Sequence, residues 1–379
     1  MRILVTGADG FVGRNLCAEL DNIASGKRRV SPVAPPVSVM RFDLGCGDDT
    51  LAGFCREADF VVNLAGVNRP KDPAEYAGNR DFTEKLLSLL REAGSSCPVL
   101  LSSSVQAELD NPYGRSKLAA ERAVLEHCRA VGAKAYIYRF PNIFGKWCRP
   151  NYNSAVATFC HNIANGLPIR IDDGEKTLRL AYIDDVVDEI ISCIAGEKRS
   201  VDGYCEVDTV YERKLGEIAE LIRRFDADRR GRRVTDCSDP FVKKLCSAYL
   251  SFVPADDIGV GTLTHRDERG SFTELLDLGG AGQLSVNVCR PGMTKGDHWH
   301  HTKAEKFIVV SGRGVIRERR IGGGETAVLP VSAEEIKVVD MLPGYTHSIE
   351  NTGEEDLVFV IWANERFDPE RPDTFHEKV

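Results

Sequence analysis

Four side chains near the C-terminal end are spaced for metal chemistry. In the stretch Gly292–Gly312, GMTKGDHWHHTKAEKFIVVSG, His298 and His300 are two residues apart and Glu305 follows. Side chains of a β-strand alternate with period two, so the two imidazoles leave one face together. After a tight turn over 301–304, Glu305 enters from the next strand, and His347, in PGYTHSIEN, is placed to be a fourth ligand. Imidazoles and a carboxylate converging from rigid strands bind a divalent cation, with zinc the expected ion, either as a Lewis acid or as a pin between strands. A lone histidine would read as part of a solvated loop. Four ligands at mutually consistent spacings, with alternating apolar strands between them, read as a metal site.

A second constellation lies in the first third of the chain. In DNPYGRSK, Asp110 or Asn111 can cap a helix and Pro112 suits its first turn. Tyr113 and Lys117 then share one helical face. An ammonium beside a phenol favours the phenolate and lowers a pKa that starts near ~10. A phenol so tuned can give or take the proton of a sugar alcohol while hydride moves. Ser104, at the end of a strand beginning at Pro98, can hydrogen-bond the same oxygen. The spacing Y-x3-K is common by itself, so its meaning depends on the elements before it.

Those elements form a nucleotide cradle. Arg2–Thr6 reads as a buried parallel strand, and TGADGFVG leads into a helical pattern with Phe11, Val12, Leu16 and Leu20 on one side. Gly7 permits the tight turn, Gly10 lets backbone approach a pyrophosphate, and Gly13 lets the helix pack on the strand. The second strand is either Arg28–Ala34 or Val37–Phe42, separated by Pro35 and Pro36. Asp43 argues for NAD, and Arg41 or Lys27–Arg29 for NADP; the sequence leaves both open. Asp59–Leu64 is a further strand ending in NLAG, where Asn63, Ala65 and Gly66 allow backbone to pass close to a cofactor. Helices are expected at 73–92, 154–165 and 214–225, and a strand at 136–140. The basic run DRRGRR at 228–233 reads as a solvated turn.

Helical pattern fades after Leu245, and SAYLSFVPADDIGVGTL reads as a linker. From Gly270 onward, short alternating runs at 271–277, 283–290, 306–311, 315–320, 325–329, 336–341, 347–350 and 357–363 predict an all-β barrel or jelly roll. The expectation is an α/β chain: a doubly wound parallel sheet over 1–245, then an all-β barrel over 246–379. A net charge of -8 argues against nucleic acid or an anionic membrane as bulk partner. The 12 cysteines contain no C-x-x-C pair and fall mostly in apolar runs, which fits reduced thiols in a cytoplasmic protein. No apolar run approaches the ~20 residues that span a bilayer.

The first part resembles the extended short-chain dehydrogenase/reductase family through TGADGFVG, NLAG, the serines at 102–104 and YGRSK, in that order. The resemblance implies a Rossmann-type reductase with Ser104, Tyr113 and Lys117 as catalytic residues. It implies cofactor contacts from Gly7, Asp9, Gly10, Phe11, Val12, Gly13, Leu64, Ala65 and Gly66, with Tyr113, Lys117 and Arg139 adding to them. RFPNIFG resembles the family's R-x-x-N-x-x-G segment. Nucleotide-sugar contacts are implied at Asn79, Asn142, Arg149, Asn151 and Arg179.

The last part resembles the cupin family through G-x5-H-x-H-x4-E-x6-G and Gly344-x2-His347-x3-Asn351. Its HRDERGSFTE resembles the D-x-R-G-x-F signature of deoxysugar epimerases, which implies substrate contacts at Asp267 and Arg269. The whole order resembles the CapF/WbjC/FnlB family of bacterial surface-polysaccharide synthesis. That resemblance implies a UDP-2-acetamido-2,6-dideoxy-4-hexulose substrate, inversion at C3 by the cupin, and reduction at C4 with NADPH. The implied product is UDP-N-acetyl-6-deoxy-L-talosamine, a precursor of N-acetyl-L-fucosamine, and the implied assembly is a homodimer or larger. Tyr345, Lys303 and His301 are candidates for the epimerisation base. The competing reading is a plain reductase whose barrel is structural.

Overall fold

Burial on both faces decides the first sheet. Ile3, Leu4 and Val5 of β1 (Arg2–Thr6) are wholly inaccessible, as are Val61 and Val62 of β3 (Phe60–Asn63). The two pair in parallel. The computed structural model describes residues 1–379 and divides them into two units. One comprises Met1–Arg223 with Cys237–Pro254, the other Arg224–Asp236 with Ala255–Val379.

The first unit is built on a six-stranded sheet of order β2-β1-β3-β4-β5-β8. Its further strands are β2 (Ser38–Phe42), β4 (Val99–Ser104), β5 (Ala135–Phe140) and β8 (Tyr204–Cys205), all parallel. A small second sheet joins β6 (Asn142–Phe144), β7 (Thr177–Tyr182) and β9 (Tyr211–Lys214). The helices are α1 (Phe11–Ala24), α2 (Asp48–Glu57), α3 (Gly78–Glu92), α4 (Pro112–Val131), α5 (Ala155–Ala164), α6 (Ile183–Ile194), α7 (Leu215–Arg230), whose residues from Arg224 onward belong to the second unit, and α8 (Pro240–Leu250). Chain order reverses at β1, with β2 on one side and β3 on the other, so a crevice opens at the carboxyl ends of β1 and β3.

Of the two candidate second strands, 38–42 forms the pairing with β1. The other holds Pro32 and abuts Pro35 and Pro36, and proline has no N–H for a ladder. DRRGRR is not a solvated turn. α7 continues to Arg230, Arg233 Nε donates to Asp277 at 3.0 Å, and Val234 N donates to the Asp277 carbonyl at 2.8 Å. α8 likewise runs past Leu245 to Leu250, with Ala248 and Tyr249 buried. No helix is long and apolar enough to cross a membrane.

The second unit is two antiparallel sheets. The six-stranded one has order β10-β11-β12-β19-β14-β17 and the five-stranded one β16-β15-β18-β13-β20. Their strands are β10 (Thr264–Asp267), β11 (Gly270–Asp277), β12 (Gln283–Cys289), β13 (Thr294–Trp299), β14 (Glu305–Ser311), β15 (Arg313–Arg320), β16 (Thr326–Ser332), β17 (Val338–Met341), β18 (Tyr345–Asn351), β19 (Leu357–Ala363) and β20 (Phe375–His376). The inner faces bury Phe307, Val309, Ile316, Ile349 and Phe359. β10 and β20 escape a reading by periodicity because they are short and largely polar.

The tightest packing in the first unit is at the glycine turn. A Cβ on Gly13 would lie 2.1 Å from the Gly7 carbonyl oxygen and 2.8 Å from Ala8 Cα, both backbone atoms that cannot yield. Gly13→Ala is therefore expected to destabilise by at least about 1–3 kcal/mol, as overpacking does, and to abolish dinucleotide binding. Gly53→Ala in α2, whose nearest neighbour would be an arginine tip at 3.8 Å, should be neutral or slightly stabilising. Thermal unfolding with a fluorescence titration of the nucleotide checks both.

Candidate active sites

The crevice at β1 and β3 is shaped for a dinucleotide. Gly7 adopts φ +67°, and a Cβ there would meet Ala65 N at 2.8 Å, so the two loops touch through backbone alone. α1 starts after Gly10 with no side-chain cap, which leaves its first N–H groups and the positive end of its dipole open to an anion. Asp43, just past β2, accepts Asp9 N at 2.7 Å and Leu44 N at 2.8 Å. Arg41 pairs with Asp21 at 2.5 Å, and Arg28 with Glu19 and Asp188. Asn63 ties β3 to its neighbours by accepting from Thr6 Oγ1 at 2.7 Å and donating to Thr83 Oγ1 at 3.2 Å.

The catalytic candidates stand at the end of β4 and the start of α4. Asn111 caps that helix by accepting Gly114 N at 2.8 Å, with Pro112 in the first turn. Tyr113 donates to Asn68 Oδ1 at 3.1 Å and packs on the Tyr76 ring. Lys117, only 6% exposed, donates to the Ser102 carbonyl at 3.1 Å and lies over the Tyr113 ring, 5.8 Å from its centroid. Burial pulls its pKa down to about 8. Burial also pushes the Tyr113 pKa up, against an opposing hydrogen bond with Ser104. The expected lowering of the phenol by the ammonium is thus reversed here. Lys117 lies 5.8 Å from the ring centroid, and desolvation of the phenolate is the largest influence on the hydroxyl.

Other predicted positions are distributed differently. Asn79 is 3% exposed; it accepts Val67 N at 2.8 Å and donates to Val67 O and Ser116 Oγ, so it clamps the 64–67 loop from inside. Arg139, expected at the cofactor, is committed elsewhere. Its fork holds the wholly buried Glu121 at 3.0 and 2.7 Å, and Glu108 at 2.9 Å. Glu121 also accepts from Ser103 Oγ at 2.5 Å and Tyr204 at 2.9 Å, which secures the serine-bearing end of β4. Sequence reasoning missed Glu121, although it lies one helical turn after Lys117. Asn142, Arg149, Asn151 and Arg179 are exposed. Arg149 stacks on Tyr152, and Arg179 pairs with Glu212 at 3.6 Å.

The second unit gathers His298, His300, Glu305 and His347, whose ligand atoms all lie within 4.8 Å of one another. β13 and β18 bring His298 opposite His347, and Glu305 enters from β14 of the facing sheet. His300 Nε2 and both ring nitrogens of His347 are buried without a hydrogen-bond partner. Burial and the neighbouring His347 pull the His298 pKa down to about 4. Burial opposes ionisation of Glu305, yet His300, His347 and Lys303 outweigh it and hold its carboxyl well below the usual range. Imidazoles with unpartnered buried nitrogens around a carboxylate are the donor set a divalent ion requires, so the residues fit one.

Asp373 supports this cluster and was not singled out from the sequence. Its carboxylate accepts the backbone N–H of His301, Thr302 and Lys303 at 2.8–2.9 Å, and its carbonyl meets His300 Nδ1. Beside the cluster are two adjoining chambers of about 460 and 450 Å³. Arg266, Asp267 and Arg269 line the outer one, while Glu305, Phe307 and Phe359 line the inner one. Asp267 and Arg269 are paired at 2.7 Å. Of the three candidate bases, only Lys303 lines a chamber, and it is paired with Glu305 at 2.7 Å. His301 packs edge-on against Trp299 and Phe375, and Tyr345 lines neither chamber.

Burial of Lys117 makes a stability prediction whose sign is fixed by linkage. A lysine with a native pKa near 8 favours the neutral form in the fold. Its charge costs stability below that pH, and the cost vanishes as pH rises toward the unfolded value near ~10.4. Lys117→Met should stabilise the first unit at pH 7 by up to about 3 kcal/mol, taking ~1.4 kcal/mol per pKa unit, with the gain gone near pH ~10. Urea unfolding at both pH values checks this.

Comparison with known proteins agrees with the geometry. Residues 3–203 match the NAD dependent epimerase/dehydratase family, and residues 265–375 match the polysaccharide biosynthesis C-terminal domain. The chain is 42% identical over 376 residues to the UDP-2-acetamido-2,6-beta-L-arabino-hexul-4-ose reductase of Pseudomonas aeruginosa, covering 99% of this chain and 98% of that one. The crystal structure of the capsular polysaccharide assembling protein CapF from Staphylococcus aureus matches over 100% of both chains, with a TM-score of 0.91 and 43% identity. RMD from Pseudomonas aeruginosa, solved with NADPH, matches 60% of this chain and 82% of its own, with a TM-score of 0.50 and 25% identity. The chain therefore belongs to the NAD dependent epimerase/dehydratase family and, within it, to the CapF group of two-part chains that end in a polysaccharide biosynthesis C-terminal domain.

Proposed function

We propose that this chain is a bifunctional enzyme of UDP-sugar metabolism in polysaccharide synthesis. Its second unit, a cupin, inverts C3 of a UDP-2-acetamido-2,6-dideoxy-4-hexulose, and its first unit reduces the C4 ketone to give UDP-N-acetyl-6-deoxy-L-talosamine. The observation that carries the reading is the coexistence of two separate chemical sets in a chain similar throughout its length to a 4-hexulose reductase. One is Ser104, Tyr113 and Lys117 beside the glycine turn; the other is the imidazole and carboxylate cluster beside a cavity. NADPH, present in the similar RMD structure, supplies the hydride when bound. The turn at Gly7–Gly13 and the open start of α1 hold its pyrophosphate. Tyr113 delivers its phenolic proton to the C4 oxygen, Ser104 orients that oxygen, and Lys117 keeps positive charge near the developing alkoxide. Arg149, Asn151 and Arg179, on exposed segments, are the proposed contacts for the UDP portion.

In the cavity, the C4 ketone acidifies the neighbouring C3–H because its conjugate base is an enolate. A divalent ion, when bound by His298, His300, Glu305 and His347, supplies Lewis acidity or rigidity. Four protein ligands favour the rigid, structural role, since catalytic sites usually keep one position open. The same observation supports a second reading, a plain reductase with a structural barrel.

Proton NMR with the UDP-4-hexulose in heavy water separates the two readings. Deuterium entering C3 without NADPH supports the bifunctional enzyme; a full-length protein with no C3 exchange leaves the plain reductase. In Tyr113→Phe, NADPH oxidation should fall about 100-fold or more while C3 exchange continues, and joint loss would contradict separate sites. Asp373→Asn should weaken zinc binding about 10- to 100-fold, read by chelator competition.

A further inference from the structure

We propose that His265 and Lys295 are the proton-transferring residues of the cavity, His265 taking the C3 proton and Lys295 returning one to the opposite face of the sugar. This rests on the epimerase reading and adds the groups that reading lacks. Both residues line the outer and the inner chamber, so they stand where the two meet. The outer chamber carries Arg266 and Arg269, chemistry for a diphosphate, and the inner one carries aromatic walls suited to a deoxysugar. A substrate laid across both would have its reacting carbons at this junction. His265 comes from β10 and Lys295 from β13, strands of the two facing sheets. Inversion needs two proton carriers, and these two side chains reach the junction from strands of different sheets.

A β-bulge is what aims Lys295 inward. Lys295 pairs with Ile349 and His298 with His347, while Asp297, at φ +55°, has no partner on β18. Ile349 and His347 both face the interior with no exposure. Residues directly opposite on paired strands share a face, so Lys295 and His298 point inward together despite their odd spacing. Lys295 Nζ is anchored on the Ser271 carbonyl at 2.8 Å, leaving its other N–H bonds for the cavity. Burial lowers its pKa, which makes the ammonium a readier donor.

The remaining groups on these walls are already engaged or chemically unsuited. His298 and Glu305 belong to the cluster, Lys303 is paired with Glu305, and Asp267 with Arg269. Arginine does not give up its proton. Glu274 lines only the inner chamber and is absent from the junction of the two. In the step itself, the C3–H bond breaks, its proton passes to neutral His265, and its electron pair forms the enolate with charge on the C4 oxygen. The carbonyl then re-forms as C3 takes a proton from Lys295. Exposed His265 loses its proton to water, and Lys295 regains one from water.

The test uses the full-length, zinc-loaded protein with UDP-2-acetamido-2,6-dideoxy-4-hexulose in heavy water without NADPH. Proton NMR follows C3 exchange and C3 inversion separately. No exchange in the wild type defeats the epimerase reading itself. With an active wild type, His265→Gln should lose exchange and inversion about 100-fold. Lys295→Met should keep exchange on the starting face but lose inversion by a similar factor. A merely structural role would not split exchange from inversion. Zinc content and melting temperature at wild-type values establish that each variant is folded. Inversion within about threefold of wild type in either variant overturns the proposal, as does loss of exchange in Lys295→Met. Loss of exchange in Glu274→Gln with exchange retained in His265→Gln would give the base role to Glu274 and likewise overturn it.

Discussion

Lys117 and Glu305 are each only 6% exposed, one in each unit. Ionised groups leave water only if their surroundings answer the charge, because desolvation otherwise costs several kcal/mol per ion (about that order). The two units answer differently. Lys117 receives one carbonyl, that of Ser102, and burial lowers its pKa. Glu305 receives Lys303 and two imidazoles, and its carboxyl stays ionised. The first site therefore holds an under-compensated cation beside Tyr113, poised to strengthen its interaction when negative charge develops nearby. The second holds an anion ringed by imidazole nitrogens, a donor set that suits a cation.

Supporting residues set both geometries. Glu121, itself held by Arg139, accepts from Ser103, while the neighbouring Ser102 presents its carbonyl to Lys117 and Ser104 stays beside Tyr113. Asn79 holds Val67 by both backbone groups, and a Cβ on Gly66 would press on Asn79 and Lys117 at 3.0 Å. In the second unit Asp373 gathers three backbone N–H groups of the turn that carries His300 toward Glu305. These contacts fix the positions of functional groups that come from separate elements.

The comparison of strands with expectation is instructive at β13. Period two correctly placed His298 and His300 on one face, and apolar alternation located β11, β12, β14, β15, β18 and β19. It could not place Lys295, because a bulge at Asp297 changes which side each residue faces. Whether a strand bulges depends on its neighbour's register, which no local pattern contains.

Local chemistry written in the sequence determined the two-part α/β and all-β order, the glycine turn, the Tyr113–Lys117 face and the four cluster residues. Each follows from short-range rules: helical spacing, strand alternation, and the backbone freedom of glycine. The tertiary structure alone decided that Arg139 serves Glu121, that Asn79 faces inward, and that Arg233 binds Asp277. It also decided that burial raises the Tyr113 pKa. A charged or amide side chain reads the same on any strand or helix; its role is settled by which partner folding carries to it, and by how much water folding takes away.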